Sequence, residues 1–298
     1  MLTRTRTIIG VSGMALAAAT VLGAATPALA APDSSGEEGL TTIGLTRDDR
    51  LVQFNTNTPR KIRVLGKVSG LQDGDTNVVG IDYRVQDSQL YGVGDKGGIY
   101  RIVEATAVAT KVSQLTVPLE GSSFGVDFNP AANALRVVSE TGQNLRHPFA
   151  TFTGAFFTAT TAKDGTLTYP ATAATAATVA TGVTGAAYTN NDLDMNTSTS
   201  LFDLDTVQNQ IVLQSPANSG LLAATGKLRQ DPGTSAGFDI CSKIRGDRAV
   251  ELRGYATLSV GGKYRLYDIN ILSGEATFDG TFRPGTQVED LAMKLNEL

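Results

Sequence analysis

The chain of 298 residues has no tryptophan, one cysteine (Cys241) and one histidine (His147). A single cysteine excludes an internal disulfide, a cysteine-rich zinc site and a dithiol redox pair. A single histidine excludes metal motifs built on two imidazoles and makes any serine–histidine–carboxylate triad depend on His147. Charged side chains are sparse at 18%, and no basic run is denser than Arg60-Lys61-Ile62-Arg63 or Lys243-Ile244-Arg245. Nucleic acid is therefore not an expected partner, because displacing phosphate counterions needs a concentrated positive surface. Amphipathic helical periodicity is missing too, except over residues 289–295, where a strand is the preferred reading. What remains, 41% hydrophobic residues with 32 glycines, fits a globular chain rather than a disordered or collagenous one.

The only long apolar run lies at the N-terminus. Arg4 and Arg6 precede an alanine-rich segment over residues 8–25, and Ala28-Leu29-Ala30 supplies a small-residue cleavage pattern ahead of Ala31. This reads as a secretory signal peptide over residues 1–30; Gly10, Gly13 and Gly23 interrupt the run and argue against a membrane anchor. Removing Arg4 and Arg6 lowers the basic count from 25 to 23 against 29 acidic residues, a formal charge of −6. Residues 31–40, with Asp33, Glu37 and Glu38 among Ser and Gly, read as a disordered leader, which leaves 41–298 as a single domain. The expected address is secreted or extracellular, with the cell wall as one place it could stay. The mature chain is expected to have no membrane span and to be a monomer.

One short motif returns along the remainder. It stands as Gly80-Ile81-Asp82-Tyr83, Gly125-Val126-Asp127-Phe128 and Gly237-Phe238-Asp239-Ile240; Gly185-Ala186-Ala187-Tyr188 lacks the Asp, and Val288-Glu289-Asp290-Leu291 is a fainter fifth copy. After each anchor come short β-like runs separated by Gly and Asp turns, such as Gln89-Leu90-Tyr91-Gly92-Val93 and Gly98-Ile99-Tyr100-Arg101-Ile102-Val103. Val260-Gly261-Gly262-Lys263 is a tight hairpin signal, because Gly-Gly supplies positive φ without steric penalty. Repeats of four strands at this spacing predict an all-β fold, a β-propeller. Three strands ahead of the first anchor lack an anchor of their own, and the fifth copy supplies it. The chain ends are thus expected to share one sheet, giving five four-stranded blades. Six blades is the alternative, if the interval from Phe128 to Val183 holds another sheet.

Gly44-Leu45-Thr46 with Arg50-Leu51-Val52, the Gly-x-Asp anchors, the run from Arg136-Val137 through Thr141-Gly142-Gln143-Asn144-Leu145-Arg146, and Ala187-Tyr188-Thr189-Asn190-Asn191 resemble the domain-of-unknown-function family numbered 4394. The resemblance covers about residues 41–293, and its Thr-Gly-Gln-Asn-Leu-Arg signature is specific. It implies a secreted bacterial protein of propeller-like repeats and implies no reaction. The basic stretch over residues 241–253 departs from the pattern.

Asp82, Asp127 and Asp239 are the leading candidates, since carboxylates ringed about a propeller axis can hold a cation or supply acid and base for glycoside cleavage. Strand alternation instead favours them as structural blade anchors, buried and hydrogen-bonded to a neighbouring blade or turn. Asp192, Asp194 and Asn196 resemble the opening of a calcium loop, with Asp203 at its twelfth position. Thr197 stands where such a loop needs Gly, and Asp203 where it needs a bidentate Glu, so a polar inter-strand loop is preferred and calcium is the weaker reading. Gln143, Asn144 and Arg146 could face a ligand, but bonds to neighbouring backbone or carboxylates are preferred. His147-Pro148 is expected as a surface turn, and Cys241 as a buried small hydrophobe. With no catalytic set and no resident cofactor expected, the favoured function is a secreted, non-catalytic protein that binds an unknown extracellular protein or glycan. A carbohydrate-active hydrolase using axial carboxylates is the alternative.

Overall fold

The structure, a computed structural model, describes residues 39–194, 197–245 and 248–295. The expected signal peptide and nearly all of the expected leader lie outside the described residues, as does Asn196. Five four-stranded antiparallel sheets make up a five-bladed β-propeller. Blade 1 runs outward from Val288–Met293 through Thr41–Thr46 and Arg50–Asn55 to Arg63–Lys67. Blades 2 to 5 start on Val78–Arg84, Phe124–Asn129, Val183–Tyr188 and Pro232–Arg245 and each add three strands in sequence order. The C-terminal strand is therefore the innermost strand of the N-terminal sheet, paired Thr42 to Met293 and Ile43 to Ala292. No sixth blade fills the interval after Phe128: beyond the outer strand of blade 3 it holds only the two-stranded ribbon of Thr168–Tyr169 and Thr178–Val179.

The alternation of each strand buries one apolar stripe on each neighbouring blade. Ile81, Tyr83, Leu90 and Tyr100 of blade 2 pack with Ile43, Leu45 and Leu51 of blade 1. Phe202, Leu204 and Ile211 of blade 4 pack with Phe238, Leu258 and Tyr267 of blade 5. The departure over residues 241–253 is an extension of the first two strands of blade 5, Pro232–Arg245 and Arg248–Val260, into one long hairpin.

The recurring glycine has a steric cause. A Cβ on Gly125 would lie 2.5 Å from the backbone nitrogen of Ala186, and one on Gly237 would lie 2.4 Å from the Cα of Asp290. Inner strands approach so closely near the axis that only hydrogen fits between them. Strand pairing corrects the register of the fifth copy. Leu291 pairs with Gly44 as Ile81 pairs with Gly92, and Ala292 with Ile43 as Asp82 with Tyr91. Asp290 thus occupies the level of the anchor glycines, and Ala292 stands at the level of the anchor aspartates.

Candidate functional site

Each junction between inner strands is made by a side chain that accepts a backbone N–H. Asp290 of blade 1 accepts from Ile81 of blade 2 at 2.8 Å, and Asp82 accepts from Phe128 of blade 3 at 2.7 Å. Asp127 accepts from Tyr188 of blade 4 at 3.1 Å, and Asp239 of blade 5 accepts from Met293 of blade 1 at 2.6 Å. At the fourth junction, where Ala187 replaces the aspartate, the Ser242 hydroxyl of blade 5 accepts the N–H of Asn190 at 2.9 Å.

At the anchor level one carboxylate oxygen each of Asp82, Asp127 and Asp239 lies within 4.8 Å of the other two, and all three residues are buried. Burial, with repulsion from the neighbouring carboxylates, pushes Asp82 and Asp127 well above the usual carboxylate range. Burial pushes Asp239 up to about 6, against the pull of the N–H groups of Met293 and Ile240. The cluster borders a void of about 20 Å³ that is also lined by Asn191, Tyr188 and Cys241. That volume holds about one water or one small ion. Asn191 is 8% exposed, and among the described residues neither its amide oxygen nor its amide nitrogen has a hydrogen-bond partner. The sequence singles out the aspartates but not Asn191, whose only signal is the polar Asn190-Asn191 pair directly after an inner strand.

The other sequence candidates lie elsewhere. Asp192 closes a local turn, accepting from the Asp194 N–H and the Thr197 hydroxyl. Asp203, its proposed twelfth partner, is buried in Leu201–Asp205 of blade 4. Gln143 bonds to the Pro118 carbonyl and the Glu120 N–H, and Arg146 pairs with Asp164. Asn144 is locked to the buried Arg136 guanidinium and to the Gly165 and Ala217 carbonyls.

His147 is not in a surface turn. It is 0% exposed, within Asn144–Pro148 of blade 3, and Phe149 and Phe157 cover its ring at 6.0 and 5.7 Å. Pro148 ends the strand rather than opening a turn to solvent, and the chain beyond it folds back as an aromatic cluster. Ser113 Oγ stands 3.0 Å from Nε2 and Thr161 Oγ1 stands 3.0 Å from Nδ1. Ser113 commits its hydroxyl hydrogen to the Phe157 carbonyl, so Nε2 is the donor to Ser113 and Nδ1 accepts from Thr161. Burial pulls the imidazole down to about 4. This serine–histidine pair has catalytic spacing, but both residues are 0% exposed and Nε2 donates to Ser113 rather than accepting from it. Cys241 is buried, as a small hydrophobe is expected to be.

The opposite end of the inner strands is open. A funnel of about 880 Å³ is lined by residues of all five blades, among them Asn77, Ser123, Thr184, Thr234 and Glu289. Its wall carries Asp49, Asp95, Glu289 and Asp290 against Arg47 and Lys96. Much of this lining is fixed. Asp95 binds the N–H groups of Thr76 and Asn77, which hold its carboxyl down to about 2, and the Tyr264 hydroxyl bridges Ser235 and Glu289. No sequence motif marks the funnel, because each blade contributes only a few residues from separate loops.

A family model described as "Domain of unknown function (DUF4394)" matches residues 50–292. No curated protein matches the sequence. A protein of unknown function from Bacteroides thetaiotaomicron is 12% identical, with 88% of this chain and 66% of that one covered and a TM-score of 0.43. An auxiliary nutrient binding protein from Bacteroides ovatus is 12% identical over 64% of this chain and 48% of that one, with a TM-score of 0.36. The major Malassezia sympodialis allergen Mala s 1 is 12% identical over 76% of each chain, with a TM-score of 0.40. The chain thus spans just under two thirds of the first of these and about half of the second.

Proposed function

The chain belongs to the DUF4394 family, and we propose that it is a secreted, non-catalytic binding protein that seats an extracellular glycan or protein segment in the open funnel. The observation that carries this reading is the contrast between the two ends of the axis. One end offers about 880 Å³ lined mainly by polar groups from every blade, and the other narrows to about 20 Å³ beside buried carboxylates. Concave sites of this size with a few fixed polar groups are the usual seats of ligands. The funnel lining includes few aromatic side chains, Phe124 and Tyr264, so recognition rests on hydrogen bonds to a hydroxyl- or amide-rich ligand rather than on ring stacking.

The hydrolase alternative asks Asp82, Asp127 and Asp239 to flank a sugar. Glycosidase carboxyls flank a sugar, whereas these three are buried beside a void of about 20 Å³, too small for a sugar ring. The reading is tested by screening the purified chain against cell-envelope glycans and culture proteins, with Thr234→Trp and Ser123→Trp as funnel-filling variants. Retained partners should be lost by both variants. Capture that neither variant disturbs would contradict the funnel as the seat.

A further inference from the structure

We propose that Asp82, Asp127, Asp239 and Asn191 form a binding site for one calcium ion on the propeller axis, at the narrow end. This site is separate from the funnel and does not rest on the binding reading above. Three buried carboxylates converge there, and the cation lining the same void is turned away: Lys294 pairs with Glu104 at 3.1 Å. A buried carboxylate survives ionised only beside a counter-charge, and the inter-blade N–H bonds engage only part of each group. Asp82 uses Oδ2 for Phe128 and Asp127 uses Oδ1 for Tyr188, which leaves an oxygen on each for a ligand; Asp239 uses Oδ2 for Met293 and Oδ1 for Ile240, and each of its oxygens keeps a second lone pair.

Asn191 points independently to a missing partner. A buried amide with both ends unpaired is costly, and here it borders the same void as the carboxylates. An amide oxygen is an ordinary calcium ligand; a proton shared among the aspartates would do nothing for it. The dimensions agree. Oxygens that share an ion at about 2.4 Å lie no more than about 4.8 Å apart, and the three carboxylate oxygens meet that bound. An all-oxygen set with three carboxylates and an amide, drawn from separate β-strands, suits calcium. Magnesium demands stricter octahedral geometry and keeps more water, and zinc favours nitrogen and sulfur. Bound there, the ion would tie blades 2, 3, 4 and 5 together at the axis.

The test uses the purified full chain, stripped with EGTA and dialysed at neutral pH. Calorimetric titration with CaCl2 and with MgCl2 is paired with melting in EGTA and in about 1 mM CaCl2, the upper range for extracellular calcium sites. The expected result is one calcium per chain, bound more tightly than magnesium, and a melting temperature raised by roughly 3–6 °C at a tenfold excess over the dissociation constant. Asp127→Asn keeps the Tyr188 bond through Oδ1 and changes only the other oxygen, so it should fold and lose the calcium-dependent shift. Asn191→Ala leaves every inter-blade bond in place and should weaken calcium binding at least about tenfold, a loss of about 1.4 kcal/mol. The proposal is overturned if wild type melts identically in calcium and in EGTA without taking up the ion. It is also overturned if both variants bind calcium undiminished, which would place the ion elsewhere, or if magnesium binds in preference.

Discussion

The carboxylate of Asp290 accepts the backbone N–H of Ile81 at 2.8 Å, across 209 residues of sequence. It joins the strand that ends the described chain to the first strand of the first uninterrupted blade, so the ring is closed by a side chain as well as by the sheet of blade 1. Replacing Asp290 by Ala leaves the buried Ile81 N–H unpaired and should lower stability by about 1–3 kcal/mol. Asp290→Asn, which keeps an acceptor oxygen, should recover most of that loss in urea denaturation. Equal loss in both variants would show that the hydrogen bond is not what matters.

Gly125 should not tolerate a side chain. Its added Cβ would meet backbone atoms of Gly185 and Ala186 at 2.5–2.9 Å, and backbone cannot swing aside as a flexible side chain can. Gly125→Ala is expected to cost about 1–3 kcal/mol or more through overpacking. Gly233→Ala is the control, because the nearest atom to its added Cβ is 3.8 Å away; it should change stability by less than about 0.5 kcal/mol. A thermal melt of the two variants decides the matter.

His147 makes stability sensitive to acid. Its folded value near 4 lies below the ordinary 6.5, so between those pH values the unfolded chain binds a proton that the folded chain refuses. Stability from this group is complete above about 6.5 and is lost as pH falls toward 4, by at most about 3 kcal/mol. In the ion-free chain the buried Asp239, raised to about 6, acts in the opposite sense: its folded form holds a proton up to about 6, and stability falls as pH rises from about 4 through that value. Denaturation of wild type and His147→Gln at several pH values separates the two effects. The variant should lose less stability than wild type on going from pH 6.5 to 4, and parallel curves would contradict a neutral buried imidazole.

Much of the fold is legible in sequence because one steric fact repeats. Crowding near the axis leaves no room for a Cβ at Gly80, Gly125, Gly185 or Gly237, and in three of these copies an aspartate two residues on answers the next blade's N–H. Gly80, Gly125 and Gly237 therefore announce three blades on their own, and Gly185 announces a fourth without its Asp. The fifth copy misleads by two residues because its Asp290 takes the glycine level, a substitution visible only in the pairing of Leu291 with Gly44. His147 misleads because Pro148 signals a turn locally, whereas the covering Phe149 and Phe157 follow it in a loop with no pattern of its own. Funnel and void draw each wall from several blades, so no contiguous motif encodes them. Asn191 enters the sequence only as the last residue of the Ala187-Tyr188-Thr189-Asn190-Asn191 run, which marks no site.

The most direct measurement compares Thr234→Trp with Asp127→Asn, reading partner retention and melting temperature on the same preparations. The expected result is a double dissociation: Thr234→Trp loses the partner and melts like wild type, while Asp127→Asn keeps the partner and melts lower than wild type in calcium. A partner lost on Asp127→Asn but kept on Thr234→Trp would move function to the axial carboxylates and contradict the account.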